Sequence, residues 1–145
     1  EMNVHQLRRR ILETFGSPAD VRLLVSSMSF GFRHGVPTDA DLVFDVRFLP
    51  NPNYIPEFKS LSGRNAKVAR FVRSYPQTQE FIERVSSMLL FLMPHYIHEG
   101  KSYLTIAFGC TGGRHRSVMM AEEIGKRLQK AGYQARISHR DIEKS

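Results

Sequence analysis

The feature that most restricts the fold of this chain is an apolar segment followed by a glycine-rich turn and then by a helical pattern. Residues 103–108 are typical of a buried strand, residues 109–113 form the turn, and residues 117–124 have helical spacing. The first amides of a helix lack partners within it, and the helix dipole is positive there. The pattern therefore predicts an anion-binding turn, and the adjacent Arg114, His115 and Arg116 indicate a phosphate group.

The rest of the chain alternates predicted strands with helices. We predict strands at 21–26, 42–46, 103–108 and 133–138, and helices at 4–15, 66–73, 77–96 and 117–131, with an irregular proline-rich stretch at 49–63. This alternation predicts an α/β fold with a mostly parallel sheet and helices on both faces. Ligands bind at the carboxyl ends of such strands, so the loop at 29–35, residues 45–47 and the glycine-rich turn should share one site.

Charge and composition limit the class of protein. The chain has 145 residues, with 21 Lys and Arg against 14 Asp and Glu, a net charge of +7. Such a balance is typical of polyanion binding, although a merely solvated basic surface remains an alternative. The longest apolar run, residues 88–93, is too short to span a membrane, and no signal peptide is evident, so we expect a cytoplasmic protein. The single cysteine excludes an internal disulfide.

Cys110 is followed after five residues by Arg116 and Ser117, which is the spacing of Cys-dependent phosphatases. In that interpretation the thiolate attacks phosphorus while Arg116 binds the phosphate oxygens. Those enzymes usually have His where this chain has Gly109, and a buried structural cysteine is a further alternative. We favour phosphate binding without covalent chemistry and keep the phosphatase as the alternative.

Asp45 and Arg47 follow the second predicted strand and project to the same side. The carboxylate can accept from a hydroxyl or ammonium group while the guanidinium binds an anion. A structural salt bridge between the two is equally open.

Basic residues recur in several segments and are candidates for contact with a nucleic-acid backbone. No spacing of His, Asp or Glu predicts a metal site. The candidate RNA contacts are Arg33, Lys59, Arg64, Lys67, Arg114, His139, Arg140 and Lys144.

Five runs resemble the C-terminal domain of the bacterial RNase adapter RapZ family. They are residues 29–32, 39–52, 100–107, 109–113 together with 115–117, and 139–144. The resemblance implies a domain similar in fold to a phosphofructokinase subdomain, which forms oligomers, binds small regulatory RNA and contacts the ribonuclease that processes it. Residues 1–19 would be the end of an interdomain segment and residues 20–145 the domain itself. Full-length members carry an N-terminal P-loop domain, and no Gly-x4-Gly-Lys-Ser/Thr motif occurs here.

The resemblance also implies a regulatory ligand, glucosamine 6-phosphate, and no cofactor. Residues Thr111, Gly112, His115 and Arg116 would hold its phosphate, and Asp45 would meet its hydroxyl or ammonium groups beside Arg47. The full set of expected ligand-site residues is Asp45, Arg47, Asn53, Cys110, Thr111, Gly112, Gly113, His115, Arg116 and Ser117.

We therefore predict a non-enzymatic adapter domain that senses a sugar phosphate and binds RNA, with no catalytic residue. A Cys-dependent phosphatase using Cys110 and Arg116 is the alternative from the enzyme class. A purely structural oligomerisation module is the third possibility.

Overall fold

The computed structural model describes residues 23–144, which form one four-stranded parallel sheet and three α-helices. The strands are β1 (Leu24–Gly31), β2 (Leu42–Asp45), β3 (Tyr103–Cys110) and β4 (Gln134–His139). The helices are α1 (Ala66–Arg73), α2 (Pro76–His98) and α3 (Arg116–Lys130). Short 3-10 turns occupy Phe32–His34 and Pro52–Tyr54. The helix predicted at 4–15 lies outside the described residues.

The strand order across the sheet is β2-β3-β1-β4, and every pairing is parallel. The prediction of an α/β fold with a parallel sheet is confirmed. All four carboxyl ends therefore lie at one edge, which brings together Gly31, Asp45, Cys110 and His139.

The described helices pack on one face of the sheet, whereas the sequence predicted helices on both. Ser27 of β1 donates a hydrogen bond to the Ala121 carbonyl of α3 (2.8 Å), and Phe44 of β2 contacts Phe81 of α2. The two crossovers that contain α-helices, β2 to β3 and β3 to β4, run in the same direction across the sheet, and right-handed crossovers then place their helices on the same side. On the opposite face, Leu24 and Tyr103 are exposed.

A single apolar core lies between this face and the helices. Its largest fully buried side chains include Ile106 and Phe108 of β3, Leu89 of α2 and Met120 of α3. Burial of side chains of this size stabilises the fold by about 1.5–3 kcal/mol each. The core therefore fixes the strand ends from which the site is built.

Strand β1 differs most from its prediction, because it begins later and continues to Gly31. Ser29 was expected in a loop but is a fully buried strand residue paired with Phe108 and with His139. The polar side chains of β1 are not typical of a strand. The strand forms because its backbone pairs with β3 on one side and with β4 on the other. The end of β1 therefore reaches the same edge as the glycine-rich turn.

Candidate anion site

Residues 111–115 connect β3 to α3 at the carboxyl edge of the sheet, and we call them the anion loop. Within residues 23–144, no carbonyl or side chain accepts a hydrogen bond from the backbone amides of residues 112–118. Buried amides are nearly always paired, and the dipole of α3 adds positive potential at this end. These donors can therefore bind the oxygens of an anion.

Close packing against β1 holds the anion loop in place. Gly113 has φ +81°, and a Cβ there would lie 2.6 Å from the nitrogen of Gly31. A Cβ on Gly31 would in turn lie 2.4 Å from the carbonyl carbon of Gly112. By contrast, a Cβ on Gly112 would meet no atom within 4 Å, so space is open beside this residue. The backbone is fixed on one side and accessible on the other.

Arg116 begins α3 and is 5% exposed. One of its terminal nitrogens, Nη1, donates to the carbonyls of Arg47 (2.6 Å) and Leu49 (3.2 Å). Its Nε is buried, with no hydrogen-bond acceptor among the described residues. The guanidinium thus fixes the segment after β2, while within residues 23–144 its Nε–H has no acceptor and no carboxylate pairs with its positive charge.

Asp45 and Arg47 form a bidentate ion pair at the end of β2. Nη2 of Arg47 lies 2.6 Å from Oδ2 of Asp45, and Nε lies 3.0 Å from Oδ1. The guanidinium also lies over the Phe32 ring, 4.0 Å from its centroid. The hydrogen bonds from Arg47 lower the pKa of Asp45, so its carboxylate is ionised at neutral pH. Both side chains are about half exposed, which leaves carboxylate lone pairs open to a ligand.

Cys110 and Ser117 are both buried, at 3% and 0% exposure. Their side chains lie 3.0 Å apart, with Sγ of Cys110 against Oγ of Ser117. The thiol faces the apolar core and is a member of it. A nucleophile must reach its substrate, and burial limits the access of a substrate to this thiol.

His115 is buried and holds the segment around Leu61 against the start of α3. Its Nε2 lies 2.6 Å from the Leu61 carbonyl, and burial lowers the pKa of the imidazole. The ring is therefore neutral at pH 7, and its N–H donates to that carbonyl. Gly63 packs here as well, because a Cβ would lie 2.1 Å from the His115 carbonyl oxygen.

Asn53 and Thr111 complete the expected ligand set and are both exposed. Asn53 lies in the 3-10 turn after β2, where its amide donates to Oδ1 of Asn51 (3.0 Å). The Thr111 carbonyl accepts from the Arg33 amide (3.1 Å), which ties the anion loop to the turn after β1. The structure thus places Asp45 and Arg47 at the same sheet edge as residues 110–117, with Cys110 and Ser117 buried, and Asn53 in the turn that follows β2.

The residues predicted to bind RNA fall into two groups. Arg33, Lys59, Arg64 and Lys67 are exposed, while Arg114 is partly buried. Arg140 and Lys144 lie in the C-terminal tail, and both form ion pairs with the buried Asp141.

His139 differs from its predicted position on the basic surface, because its side chain is 8% exposed. Its Nδ1 lies 2.7 Å from Oγ of Ser29, and its Nε2 lies 2.7 Å from Oε2 of Glu122. Burial alone would raise the pKa of Glu122, but the hydrogen bond from His139 and nearby cations lower it. His139 therefore joins β1, β4 and α3 and does not present its ring to a surface partner.

Asp141 was missed by the sequence reasoning, although it organises the tail. It is fully buried and accepts hydrogen bonds from the Gly31 amide and from Arg140. The alternation of charges at Arg140, Asp141 and Lys144 was the available signal, but it is equally typical of a solvated surface.

No group of three or more His, Cys, Asp or Glu side chains within residues 23–144 is arranged to hold a metal ion. Within the same part of the chain, no helix has the length and apolar character needed to cross a bilayer.

Comparison with known proteins places these features in a family. A family model described as the RapZ C-terminal domain matches residues 23–143. A nucleotide-binding protein of Koribacter versatilis is 60% identical over 147 residues, covering 99% of this chain and 48% of the relative. A nucleotide-binding protein of Solibacter usitatus is 60% identical over 146 residues, covering 100% of this chain and 46% of the relative. A nucleotide-binding protein of Bacillus cytotoxicus is 49% identical over 144 residues, covering 99% of this chain and 49% of the relative. The chain thus spans about half the length of these curated relatives.

Proposed function

The chain belongs to the RapZ C-terminal domain family, and we propose that it is a non-enzymatic regulatory adapter domain that senses a sugar phosphate. In this proposal glucosamine 6-phosphate binds at the anion loop, and exposed basic residues bind small regulatory RNA for presentation to a ribonuclease. The family assignment supports the regulatory adapter role, while the ligand and the partners are the proposed part.

The proposal rests on the set of unpaired hydrogen-bond donors at the start of α3. The amides of residues 112–118 and the buried Nε of Arg116 have no acceptor within the described chain. A phosphate group has enough oxygens to accept from several donors at once, and each charge-assisted hydrogen bond contributes about 1.5–3 kcal/mol. No carboxylate of residues 23–144 lies within 4.0 Å of the Arg116 guanidinium, so an anionic ligand would also compensate its charge.

The residues after β2 support an amino sugar as the remainder of the ligand. Asp45 is ionised and half exposed at the same sheet edge as the anion loop. A carboxylate accepts hydrogen bonds from an ammonium group and from sugar hydroxyls. Arg116 lies between the anion loop and the residues after β2, because it begins α3 and donates to the Arg47 carbonyl, while its buried Nε has no acceptor in the described part of the chain.

The charge distribution supports RNA as the macromolecular partner. Lys59, Arg64 and Lys67 are exposed near the start of α3. Cations on such a surface bind a phosphate backbone by releasing condensed counterions, which makes affinity fall with salt.

The relatives are named nucleotide-binding proteins, and each is about twice as long as this chain. A nucleotide also carries phosphate groups, so the anion loop could meet one. The two ligand classes are separable by direct competition at the loop.

The geometry favours sensing over a Cys-dependent phosphatase. The Cys110 thiol is buried and lies 3.0 Å from the Ser117 hydroxyl. Burial among core side chains makes a thiol less accessible to a substrate than a thiol at the protein surface.

Isothermal titration calorimetry with glucosamine 6-phosphate tests the proposal, with ATP as the comparison ligand. We expect one sugar-phosphate site per chain, weaker binding of ATP, and RNA affinity that falls as salt rises. Absence of sugar-phosphate binding, or tighter binding of ATP in competition, would overturn the assigned ligand. RNA affinity independent of salt would overturn the assigned surface.

A further inference from the structure

The C-terminal tail, residues 140–144, lies against the anion loop where strand β4 has already ended. The pairing of β1 with β4 extends to Ser29 and His139, whereas β1 itself continues to Gly31. Beyond this pair the Asp141 side chain takes over, because its Oδ2 accepts a 2.8 Å hydrogen bond from the Gly31 amide. A side-chain carboxylate thus continues the hydrogen bonding of β1 past the last residue of β4.

Close packing transmits the position of Gly31 to the anion loop. A Cβ on Gly113 would lie 2.6 Å from the Gly31 nitrogen and 3.0 Å from Cβ of Asp141. A Cβ on Gly31 would in turn lie 2.4 Å from the carbonyl carbon of Gly112. Segments packed this closely transmit a shift of one backbone to the next. A displacement of Gly31 would therefore displace the anion loop.

Further contacts fix the tail around the carboxylate. Arg140 and Lys144 pair with Asp141 at 2.8 Å and 2.9 Å. The Lys144 amide donates to the Asp141 carbonyl at 3.1 Å, which closes a turn at this point. Arg114 of the anion loop donates from Nε to the Ile142 carbonyl at 3.2 Å. The tail is therefore attached both to the end of β1 and to the loop itself.

The Gly31 amide depends on Asp141 for its acceptor. Both residues are buried, and a buried amide without an acceptor costs free energy, so loss of the carboxylate would favour a shift of this backbone. Because Gly31 packs against Gly112 and Gly113, the shift would reach the unpaired amides of residues 112–118. Donors that must be ordered during binding give a lower affinity than donors that are already in place.

We propose that Asp141 is a positioning residue for the anion loop and holds the amides of residues 112–118 in the geometry that binds a phosphate group. This inference rests on the proposed function. Asp141 acts through Gly31, on the side of the loop that packs against β1. The ligand binds on the other side, where space is open beside Gly112.

Charge and positioning predict opposite effects of Asp141 on ligand affinity. A carboxylate near an anion site repels the anion, so removal of its charge alone would leave the affinity unchanged or strengthen it. Removal of the acceptor for the Gly31 amide would weaken binding instead. The sign of the change therefore distinguishes the two effects.

Three substitutions separate the acceptor from the charge. Asp141→Asn removes the charge but retains an oxygen that can accept from the Gly31 amide. Asp141→Leu and Asp141→Ala remove both the charge and the acceptor, and leucine also fills the space of the original side chain. Any difference in affinity between Asp141→Asn and the other two variants therefore arises from the acceptor and not from the charge.

Asp41→Ala is the matched control for a loss of stability. Asp41 also accepts from a strand amide, that of Thr105 (2.8 Å), and pairs with Lys101 (2.8 Å). It lies at the amino end of β2, whereas the anion loop lies at the carboxyl edge of the sheet.

The experiment measures the dissociation constant of glucosamine 6-phosphate by isothermal titration calorimetry at low temperature, with circular dichroism to confirm folding. We expect Asp141→Leu and Asp141→Ala to bind about tenfold more weakly than Asp141→Asn, because their loop must be ordered during binding. Asp141→Asn should bind with nearly the affinity of the wild type, and Asp41→Ala should be unchanged.

Equal affinities in Asp141→Asn and the two acceptor-free variants would overturn the inference and leave the proposed function intact. Weakening of the same size in Asp41→Ala would do so too, since it would attribute the effect to lost stability. Failure of both acceptor-free variants to fold, while Asp141→Asn folds, would reduce Asp141 to a structural role and likewise overturn the inference. Absence of binding by the wild type would overturn the proposed function itself, and the inference with it.

Discussion

The backbone amide of Gly31 donates a 2.8 Å hydrogen bond to Oδ2 of Asp141, which joins the end of β1 to the C-terminal tail. Asp141 is fully buried, and burial alone would raise the pKa of its carboxyl group. Hydrogen bonds from Arg140, the Gly31 amide and Lys144 outweigh burial and hold the pKa well below its ordinary range. The carboxylate therefore stabilises the fold beside the anion loop as long as it stays ionised.

Asp141→Asn is expected to lower the free energy of unfolding by about 1.5–3 kcal/mol at neutral pH, because the Gly31 amide and the partly exposed Arg140 and Lys144 lose their charged hydrogen-bond acceptor. The folded-state pKa lies below the unfolded value of about 3.9, so this stabilisation is complete above that value and declines as pH falls below it. Urea unfolding from pH 7 to pH 2.5 should show the curves of wild type and variant converge in acid. A constant gap across the range would contradict this assignment, and Asp39→Asn at an exposed position is the control.

Two adjacent glycines should respond differently to alanine. Gly113→Ala places a Cβ 2.6 Å from the Gly31 nitrogen at a positive φ, so we expect a loss of about 1–3 kcal/mol. Gly112→Ala meets no atom within 4 Å and should change stability by less than about 1 kcal/mol. Thermal melts of the two variants measure the difference. Equal destabilisation would mean that the loop does not pack against β1 as described.

Much of the helical structure could be predicted from local sequence. Helix α1 has the predicted bounds, Ala66–Arg73, because Asn65 caps it with hydrogen bonds to two amides and its apolar spacing is local. Strand β1 was predicted with shifted bounds because its serines are not typical of a strand. Its position depends on β3 and β4, which are distant in sequence.

The candidate site also has parts that local sequence predicts and parts that depend on contacts distant in sequence. The glycine-rich turn and its basic neighbours are contiguous, so their place between β3 and α3 could be predicted. The burial of His139 and the role of Asp141 could not be predicted from the sequence, because their partners Ser29 and Gly31 lie 110 residues away. The inward direction of Cys110 likewise depends on how the face of β3 packs against α3.

Arg116→Ala is expected to weaken glucosamine 6-phosphate binding at least about tenfold, because a charge-assisted hydrogen bond contributes about 1.5–3 kcal/mol. The same substitution removes the bonds to the Arg47 and Leu49 carbonyls, so a decrease in melting temperature should accompany it. Calorimetry measures the affinity, with Arg84→Ala as the control because Arg84 is exposed and pairs with Glu80 on α2. Unchanged affinity in Arg116→Ala would exclude Arg116 from the ligand site.

The Cys110 thiol should react slowly with a disulfide reagent in the folded protein, at least about tenfold more slowly than in urea, because burial blocks access. The protein should hydrolyse an aryl phosphate no faster than the reagent hydrolyses in buffer without protein. Rapid labelling of the folded protein, together with hydrolysis abolished by Cys110→Ser, would instead support the phosphatase alternative.

Amide chemical shifts during a titration with glucosamine 6-phosphate test the central claim most directly, since they report on the donors themselves. We expect the amide resonances of residues 112–118 to shift together and saturate, while those of the exposed end of α2 near His98 stay in place. A saturating titration that leaves the amides of residues 112–118 unmoved, or that moves a different part of the sheet instead, would contradict the account.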